Sequence, residues 1–259
     1  MRATYRSHGG NLEYWRARWE TIDADDAALN INRYPGVYAN RAVENTKGLI
    51  LEAGCGSGRV LRHFHDQGRD IVGFDFVEIA LHKISAVDAS VPLVTGNILH
   101  LPFADRSFSC VLAFGLYHNL EEGLKNALAE TMRVTATDGV LCASFRADNF
   151  QNRFIDALAA EKPRKGRRQF HKMNYTVGEI RDTITSVGFE IKSLEYVENM
   201  PFLHKFKTFR HRAQRRFDEH SARAKGYQLS PLGSALQRTM MSLAPQQFCN
   251  VYVATAIRR

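Results

Sequence analysis

The stretch that decides the fold is Leu49–Gly58, which reads LILEAGCGSG. Three apolar residues begin it, three alternating glycines end it, and a helical pattern of apolar residues follows from Val60. Glycine tolerates positive φ and lets a ligand approach the backbone closely, and the first N–H groups of a helix have no partner within that helix. Open α/β sheets bind ligands where such a strand turns into a helix. The stretch therefore predicts a ligand-binding loop at the end of a buried strand.

Beyond this loop, apolar runs typical of strands alternate with helical patterns. The predicted strands are 49–51, 71–74, 92–94, 109–114 and 140–145, and, after a looser region, 189–197 and 248–257. The predicted helices are 79–87, 124–134 and 176–187. The last of these can be capped by Thr176 and closed by Gly188. Strands that alternate with helices imply a parallel sheet covered on both faces.

The spacing of the glycines does not fit two common phosphate-binding loops. A dinucleotide fingerprint that starts at Gly54 needs a glycine at position 59, which is Arg59 here. A phosphate-cradling loop ends in Gly-Lys-Ser/Thr, and this loop has no such lysine. Asp75 ends the second predicted strand, where an acid can accept hydrogen bonds from both hydroxyls of a ribose. An NAD-linked reductase is the weaker alternative, because Asp75 suits NAD and the glycine spacing does not.

An acid two residues before G-x-G-x-G, as in Glu52–Gly58, resembles the first motif of class I S-adenosylmethionine (SAM) dependent methyltransferases. Asp75 and the stretches 95–103 (TGNILHLPF), 108–114 (FSCVLAF) and 137–141 (TDGVL) resemble later motifs of the family. The resemblance covers residues 48–146 and, more loosely, 176–197 and 248–257, and it fits the small-molecule enzymes related to quinone biosynthesis. It implies an α/β, Rossmann-like fold with a seven-stranded, mostly parallel sheet, helices on both faces and a helical insertion before the last strand. The implied cofactor is SAM, with S-adenosylhomocysteine (SAH) as product.

The resemblance also implies which residues bind the cofactor. They are Glu52, Gly54, Cys55, Gly56, Gly58, Asp75, Phe76, Asn97, Ile98 and Phe114. Glu52 and the glycines would line the methionine part, and the carbonyl group of Phe114 would face the cofactor's amino group. Asp75 would hold the ribose and Phe76 would flank the adenine. Asn97 and Ile98 would meet the adenine edge; the family has Asp at position 97, but an amide oxygen can also accept from the adenine amino group.

The acceptor is expected beside Gly115–Leu120, which follows the fourth strand. His118 is the candidate general base, because histidine exchanges protons near neutral pH; the alternative is a structural histidine at the start of a helix. Tyr117 could wall the pocket or contact the sulfonium through a cation–π interaction. No carboxylate cluster suggests a catalytic Mg²⁺ ion, so no metal is predicted.

Several acceptor classes lack their motifs in this sequence. The fourth strand leads into FGLY at 114–117 and not into the Asn/Asp-Pro-Pro-Tyr/Phe of amino-directed nucleic-acid methyltransferases. There is no Pro-Cys nucleophile, and the adjacent Glu121 and Glu122 do not resemble the acid loop of protein arginine methyltransferases. A small-molecule or lipid-like acceptor remains. The alternatives are an RNA methyltransferase that uses basic segments, and a module that binds SAM or a nucleotide without methyl transfer.

Composition is that of an ordinary globular protein. Of the 259 residues, 44% are hydrophobic and 24% are charged, which fits a chain that buries a large core without disulfides. No apolar run approaches the roughly 18 residues of a membrane span, and residues 1–15 lack the apolar core of a secretory signal. We therefore expect a cytoplasmic protein. The cysteines are far apart and are expected to be buried, reduced thiols: Cys55, Cys110, Cys142 and Cys249.

The net charge of +8 is concentrated in two segments. Residues 161–172 carry six Lys/Arg and one acid, and residues 200–225 carry eight Lys/Arg and two acids. Within 200–217, aromatic residues at helical spacing predict an amphipathic helix with basic side chains on its other faces. Such a helix could close the acceptor pocket or lie on an anionic membrane. An anionic or membrane-associated acceptor is therefore a hypothesis, and nucleic acid is the less favoured partner.

These patterns divide the chain into three parts. Residues 1–47, with Trp15 and Trp19 at helical spacing, are expected to form a helical lid or a helix on the flank of the domain. Residues 48–197 and 246–259 are expected to form the SAM-binding domain. Residues 198–245 are expected to form a basic helical insertion on the acceptor side.

Overall fold

The computed structural model describes residues 1–6, 10–22, 30–44, 46–158, 169–216 and 226–259. Its helices are α1 Asn11–Thr21, α2 Gly36–Glu44, α3 Arg59–His65, α4 Glu78–Val87, α5 Leu124–Val134, α6 Phe150–Leu158, α7 Val177–Ser186, α8 Pro231–Leu243 and α9 Pro245–Phe248. Its strands are β1 Arg2–Arg6, β2 Ile50–Ala53, β3 Ile71–Asp75, β4 Leu93–Thr95, β5 Phe108–Ala113, β6 Thr135–Arg146, β7 Gln169–Asn174, β8 Phe189–Val197 and β9 Val251–Arg258.

Seven of these strands form one sheet in the order β4-β3-β2-β5-β6-β9-β8. The pairs β2–β3, β2–β5, β3–β4 and β5–β6 are parallel, whereas β9 runs antiparallel between β6 and β8. The predicted seven-stranded, mostly parallel sheet is confirmed. Because β3 lies on one side of β2 and β5 on the other, the glycine loop leaves β2 at the point where the strand order reverses, which is the usual ligand site of such sheets.

Alternate residues of the central strands are buried on opposite faces of this sheet. Leu51 and Val111 pack in one apolar cluster with α5 and α7, and their neighbours Ile50 and Cys110 pack in a second cluster with α2, α3 and α4. Successive side chains of a strand point to opposite faces. A sheet with two apolar faces must be covered on both sides, so the predicted helix layers are confirmed.

The start of α7 is capped as the sequence predicts. The hydroxyl oxygen of Thr176 accepts a hydrogen bond from the backbone N–H of Glu179 at 3.3 Å, and a carboxylate oxygen of Glu179 accepts from the backbone N–H of Thr176 at 2.9 Å. This reciprocal arrangement pairs two N–H groups that have no partner within the helix. Gly188, with φ of 106°, follows the helix and leads into β8.

Residues 1–47 were expected to be helical, but this part of the chain begins with a strand, β1. β1 pairs antiparallel with β7 in a separate two-stranded sheet. Arg2 also donates hydrogen bonds to Asp148 at 2.7 Å and Asp156 at 2.9 Å. Both strands are largely polar, so neither shows the apolar alternation that marks a strand. They also lie far apart in sequence, so no short turn signals their pairing. Residues 159–168, which hold most of the first basic segment, lie outside the described residues.

The predicted amphipathic helix over 200–217 is wrong. The segment forms short 3₁₀ turns at Phe202–Lys205, Lys207–Phe209 and Arg212–Gln214; Phe217 lies outside the described residues. The Nε atom of Arg210 donates to the carbonyl oxygen of His204 at 2.7 Å. In a continuous α-helix that carbonyl group would accept from the N–H group four residues on, so the side chain replaces a helical bond.

The aromatic spacing of that segment is explained by packing against α6 and not by a helix. Phe202 and Phe206 contact each other with ring centroids 5.5 Å apart, and both contact Phe154 of α6. Among the described residues of the predicted insertion, α8 forms a regular α-helix, with Ser230 as its N-cap. Membrane contact through 200–217 stays a prediction, but the amphipathic helix on which it was based is absent from the described residues of this segment.

Candidate active site

A cavity of about 830 Å³ lies at the carboxyl ends of β2, β3, β5 and β6. This volume is within the range of roughly 300–1,000 Å³ that is usual for small-molecule sites. The cavity is also lined by α1, α6, β7 and residues between 199 and 205. Nine of the ten residues predicted to bind the cofactor line it: Glu52, Gly54, Cys55, Gly56, Asp75, Phe76, Asn97, Ile98 and Phe114.

The glycine loop is held in place by the neighbouring strand. The backbone N–H groups of Gly54 and Cys55 donate to the carbonyl oxygen of Phe74 at 2.7 and 3.0 Å. Gly54 and Gly56 have φ angles of 76° and 52°, a backbone conformation that residues with a Cβ atom seldom adopt. The loop therefore presents its backbone to the cavity.

Gly58, the tenth residue, does not line the cavity, so its predicted contact with the cofactor is not supported. It precedes α3 with a left-handed φ of 76°. A Cβ atom at this position would lie 2.7 Å from a side-chain carbon of Ile84. Its glycine is required so that α3 can begin closely packed against α4.

Asp75 joins the glycine loop to the next helix. One carboxylate oxygen accepts from the backbone N–H of Gly56 at 2.8 Å, and the other accepts from the backbone N–H of Val77 at 2.9 Å. The side chain is buried, and this burial raises its pKa although the bonds from Val77 and Gly56 lower it. Each carboxylate oxygen can accept more than one hydrogen bond, so the predicted ribose contact is compatible with these two bonds.

Glu52 is a second buried acid in the cavity wall. One carboxylate oxygen accepts from the backbone N–H of Leu61 in α3 at 2.7 Å. Burial raises its pKa to about 8, with the nearby charge of Asp75 adding to the increase and Arg59 opposing it. Two neighbouring acids in a buried wall repel each other, and a cationic ligand group beside them would relieve that repulsion.

The predicted adenine side consists of Phe76, Asn97 and Ile98. Phe76 is 39% exposed although it is a large apolar residue, and its ring borders the cavity. The side-chain oxygen of Asn97 accepts from the backbone N–H of Leu99 at 3.0 Å. The amide nitrogen, a donor, is then the other polar group that Asn97 offers to a ligand.

Behind Phe114, a polar network supports the floor of the cavity. The hydroxyl oxygen of Ser144 accepts from the backbone N–H of Gly115 at 2.9 Å and lies 2.8 Å from the hydroxyl oxygen of Tyr34. Tyr34 packs edge-on against Phe114 and also lines the cavity. Sequence reasoning missed Tyr34 and Ser144, because neither belongs to a motif of the glycine loop.

His118 lines the cavity from a short 3₁₀ turn, Tyr117–Asn119. The residue is 8% exposed, and its Nδ1 atom has no hydrogen-bond partner among the described residues. Burial lowers its pKa well below the usual value, and the charges of Lys172, Arg146 and His171 lower it further. Its imidazole is therefore neutral at pH 7, which is the form that can accept a proton or hydrogen bond.

The predicted contact of Tyr117 with the acceptor or the sulfonium is wrong. Its side chain is fully buried and stacks on Phe145, with ring centroids 5.5 Å apart. Its hydroxyl oxygen lies 2.7 Å from the hydroxyl oxygen of Thr131. The adjacent residues of the turn point in different directions, so His118 faces the cavity and Tyr117 enters the core.

The N-terminal helix α1 covers the glycine loop, which supports the lid interpretation over the flank interpretation. Trp15 and Trp19 stack with ring centroids 5.6 Å apart, and both line the cavity. A Cβ atom on Gly56 would lie 2.5 Å from the indole of Trp19. Lys83 of α4 donates to the carbonyl oxygens of Glu20 and Ile22, which fixes the end of α1.

The four cysteines are buried, free thiols, as predicted. Burial raises the pKa of Cys55, the one in the glycine loop, well above its usual value, so it is not an activated nucleophile.

Within the described ranges, no group of three or more His, Cys, Asp or Glu side chains is placed to hold a metal ion. No described helix is long and apolar enough to cross a membrane.

Several cationic residues line the cavity although no sequence motif identified them. They are Arg146 at the end of β6, His171 and Lys172 on β7, and Lys205 in the following insertion. Lys172 and Lys205 belong to the two basic segments noted in the sequence. That composition signal was present, but the fold was needed to show that one lysine of each segment lines the same cavity.

Comparison with known proteins agrees with this geometry. Residues 51–143 match a family model described as a methyltransferase domain. A protein of Mycolicibacterium smegmatis, named as a probable SAM-dependent methyltransferase, is 26% identical over 62% of this chain and 59% of its own length. A demethylmenaquinone methyltransferase of Thermobifida fusca is 35% identical over 51% of each chain. The chain thus spans little more than half the length of these relatives.

A solved structure extends the similarity to the whole sheet. The crystal structure of a SAM-dependent methyltransferase from Methanosarcina mazei superimposes with a TM-score of 0.59 over 87% of this chain and 97% of that chain. The two sequences are 16% identical, so this likeness shows the fold alone.

The raised pKa of Glu52 predicts how its removal changes stability with pH. The folded state keeps the proton up to about pH 8, whereas the unfolded chain releases it near 4.5, so this group makes folding less favourable as pH rises through that window. Glu52→Gln should therefore raise the free energy of unfolding at pH 9 by at least about 1 kcal/mol, with no gain at pH 4. Urea unfolding at both pH values checks this. Glu44→Gln, at an exposed position of α2, is the matched control, and an equal response of both variants would contradict the assignment.

Asn97→Asp should strengthen the binding of SAH. Because its amide oxygen already accepts from Leu99, Asn97 has one acceptor site left for the adenine amino group, whereas Asp would add a second acceptor oxygen. We expect the dissociation constant to fall about threefold or more, the range of one additional hydrogen bond. Calorimetric titration with SAH measures this, with Asn40→Asp at an exposed position of α2 as control. Weaker binding by the Asp variant would place the adenine elsewhere.

The glycine loop and the buried Asp75 lie together at the point where the strand order of the sheet reverses. The family match over 51–143 covers that loop and Asp75. Residues 51–143 therefore match a methyltransferase domain, and the sheet has the fold of the class I SAM-dependent methyltransferases, whose cofactor is SAM.

Proposed function

We propose that this chain transfers the methyl group of SAM to a small-molecule or lipid-like acceptor. The observation that carries the proposal is one continuous cavity with the glycine loop and Asp75 at one end and His118 with β7 at the other. Such a cavity can hold two reactants side by side. Holding both in one enclosed site can supply much of the rate acceleration that methyl transfer requires.

The cofactor end fits SAM in its charge and its hydrogen-bonding groups. When bound, SAM supplies a methyl group already activated by its sulfonium. Glu52 would face the ammonium group of the methionine part, and the backbone of Gly54 and Gly56 would lie along it. Asp75 would accept hydrogen bonds from the ribose hydroxyls, and Phe76 would pack on the adenine.

At the acceptor end, His118 would orient the nucleophile. Its neutral imidazole can accept a hydrogen bond from a hydroxyl or amino group through Nδ1, which has no other partner among the described residues. The strongly lowered pKa makes the ring a weak base. His118 therefore suits orientation of an acceptor, or brief proton acceptance, better than long-lived proton storage.

The walls of the cavity favour a small acceptor over RNA. Trp15 from α1, Met200 from the insertion and Tyr227 beyond it contribute to the lining together with the sheet ends. These residues give the cavity wall apolar and aromatic groups, which suit a compact or lipid-like molecule. The name of the Thermobifida fusca relative, a demethylmenaquinone methyltransferase, is compatible with an acceptor of that kind.

Calorimetric titration with SAH, with NADH as the parallel ligand, tests the proposal. We expect saturable binding of SAH alone, weakened about tenfold or more by Asp75→Asn because a charged acceptor of two hydroxyl groups is lost. Asp182→Asn on the exposed face of α7 is the matched control and should bind as the unmodified chain does. Binding of NADH in place of SAH would contradict the proposal. Binding of SAH without methyl transfer to any acceptor would favour the binding-module alternative.

A further inference from the structure

Tyr34 brings a hydroxyl group to the cavity from the segment between α1 and α2. Its side chain lines the cavity, and its ring packs edge-on against Phe114 with centroids 5.9 Å apart. Its hydroxyl oxygen lies 2.8 Å from that of Ser144, which is the hydrogen-bond partner of this group among the described residues. A residue outside the matched stretch 51–143 therefore contributes a polar group to the cavity.

The buried hydroxyl group of Ser144 decides the direction of that hydrogen bond. A hydroxyl group donates one hydrogen atom and accepts through its oxygen. Ser144 is 0% exposed, and its oxygen already accepts from the backbone N–H of Gly115 at 2.9 Å. Because that N–H group cannot accept, the oxygen of Tyr34 is the acceptor that the described residues offer to the Ser144 hydrogen atom. A buried donor without an acceptor is costly, so Ser144 donates to Tyr34.

This direction leaves the hydroxyl hydrogen atom of Tyr34 for a ligand. Burial raises the pKa of Tyr34 to about 12, although the bond with Ser144 and the charge of Arg59 lower it, so the hydroxyl group keeps its hydrogen atom at neutral pH. No described residue accepts that hydrogen atom, and the side chain borders the cavity. The cavity wall therefore contains a hydrogen-bond donor that suits an acceptor atom of a bound molecule.

Two charged side chains of the cavity lie near this donor. The positive charge of Arg59 lowers the pKa of both Tyr34 and Glu52, which places the guanidinium group within electrostatic reach of each. Arg59 begins α3 directly after the glycine loop, whereas Glu52 belongs to β2, and both line the cavity. A hydroxyl donor, a cation and an acid therefore occur together at the glycine-loop end of the site.

These three groups are complementary to the amino-acid end of SAM, which has an ammonium and a carboxylate group on the same carbon atom. Glu52 suits the ammonium group. The carboxylate group requires hydrogen-bond donors, and bonds to a charged acceptor are stronger than those between neutral groups. Tyr34 and Arg59 provide such donors on the same side of the cavity as Glu52.

We propose that the hydroxyl group of Tyr34 and the guanidinium group of Arg59 bind the carboxylate group of the cofactor. This inference rests on the proposed function, because it assigns a contact of SAM in the same cavity. The segment before α2 then binds the cofactor directly, in addition to the cover that α1 provides. Ser144 orients the hydroxyl group by donating to its oxygen.

Two probes isolate the carboxylate contact: SAH, and decarboxylated SAH, which keeps the amino group and lacks the carboxylate. Calorimetric titration gives the dissociation constant of each. We expect the unmodified chain to bind SAH about tenfold or more tightly than the decarboxylated probe, the range of a hydrogen bond to a charged group. Tyr34→Phe, which keeps the ring, should weaken SAH binding about tenfold and leave binding of the decarboxylated probe unchanged.

Further variants separate this contact from a general effect on the fold. Arg59→Gln keeps the pair of Tyr34 and Ser144 and should cause the same selective loss, so it also tests the inference if Tyr34→Phe does not fold. Tyr38→Phe is the matched control, because Tyr38 lies in α2 and is not among the residues that line the cavity; it should bind both probes as the unmodified chain does.

Three results would overturn the inference. They are equal binding of the two probes by the unmodified chain, equal weakening of both probes by Tyr34→Phe, and unchanged SAH binding by either the Tyr34 or the Arg59 variant. Failure of the unmodified chain to bind SAH would instead overturn the proposed function.

Discussion

The hydrogen bond from the backbone N–H of Gly56 to the carboxylate of Asp75 holds the site together. It joins the loop after β2 to the end of β3, and the second oxygen of the same carboxylate joins both to the start of α4. The backbone N–H groups of Gly54 and Cys55 also tie the loop to β3, because both donate to the carbonyl oxygen of Phe74. Trp19 of α1 packs against Gly56, the residue whose N–H group bonds to Asp75. The carboxylate therefore fixes the part of the loop on which α1 rests.

This arrangement is unfavourable for stability in the absence of a ligand. Glu52 and Asp75 are both buried, both have raised pKa values, and Asp75 adds to the shift of Glu52. Strongly shifted acids in a cavity are more typical of a functional site than of a structural core. At the other end the nearby charges of Lys172, Arg146 and His171 add to burial in lowering the pKa of His118. The two ends of the cavity therefore differ: buried acids, suited to the cationic methionine end of SAM, lie at one end and a neutral imidazole at the other.

The parts of the fold that the sequence predicted are those governed by local pattern. The strands of the main sheet and the capped helix α7 follow from apolar periodicity and from Thr176 with Glu179, which are contiguous signals. The glycine loop and Asp75 were likewise visible, because their spacing along the chain reflects the geometry of one strand–loop–helix unit. Nine of the ten positions predicted to bind the cofactor therefore line the cavity. The tenth, Gly58, does not line it, and its close packing against Ile84 is a second reason for a glycine at that position.

The errors arose where long-range contacts decide the outcome. The pairing of β1 with β7 joins polar strands far apart in sequence. In 202–216 the packing of Phe202 and Phe206 on Phe154 of α6 decides the path of a segment in which the phenylalanine spacing favours a helix. Tyr117 and His118 are adjacent in a 3₁₀ turn, and only the packing of Tyr117 on Phe145 shows which of the two faces the cavity. No local pattern encodes these contacts.

The division of the cavity into a cofactor half and an acceptor half is the central claim, and a crystal structure of the chain with SAH tests it directly. The account predicts that the ribose hydroxyls bond to the carboxylate of Asp75 and that the sulfur atom faces His118. A ribose held away from Asp75, or a sulfur atom turned away from His118, would contradict it.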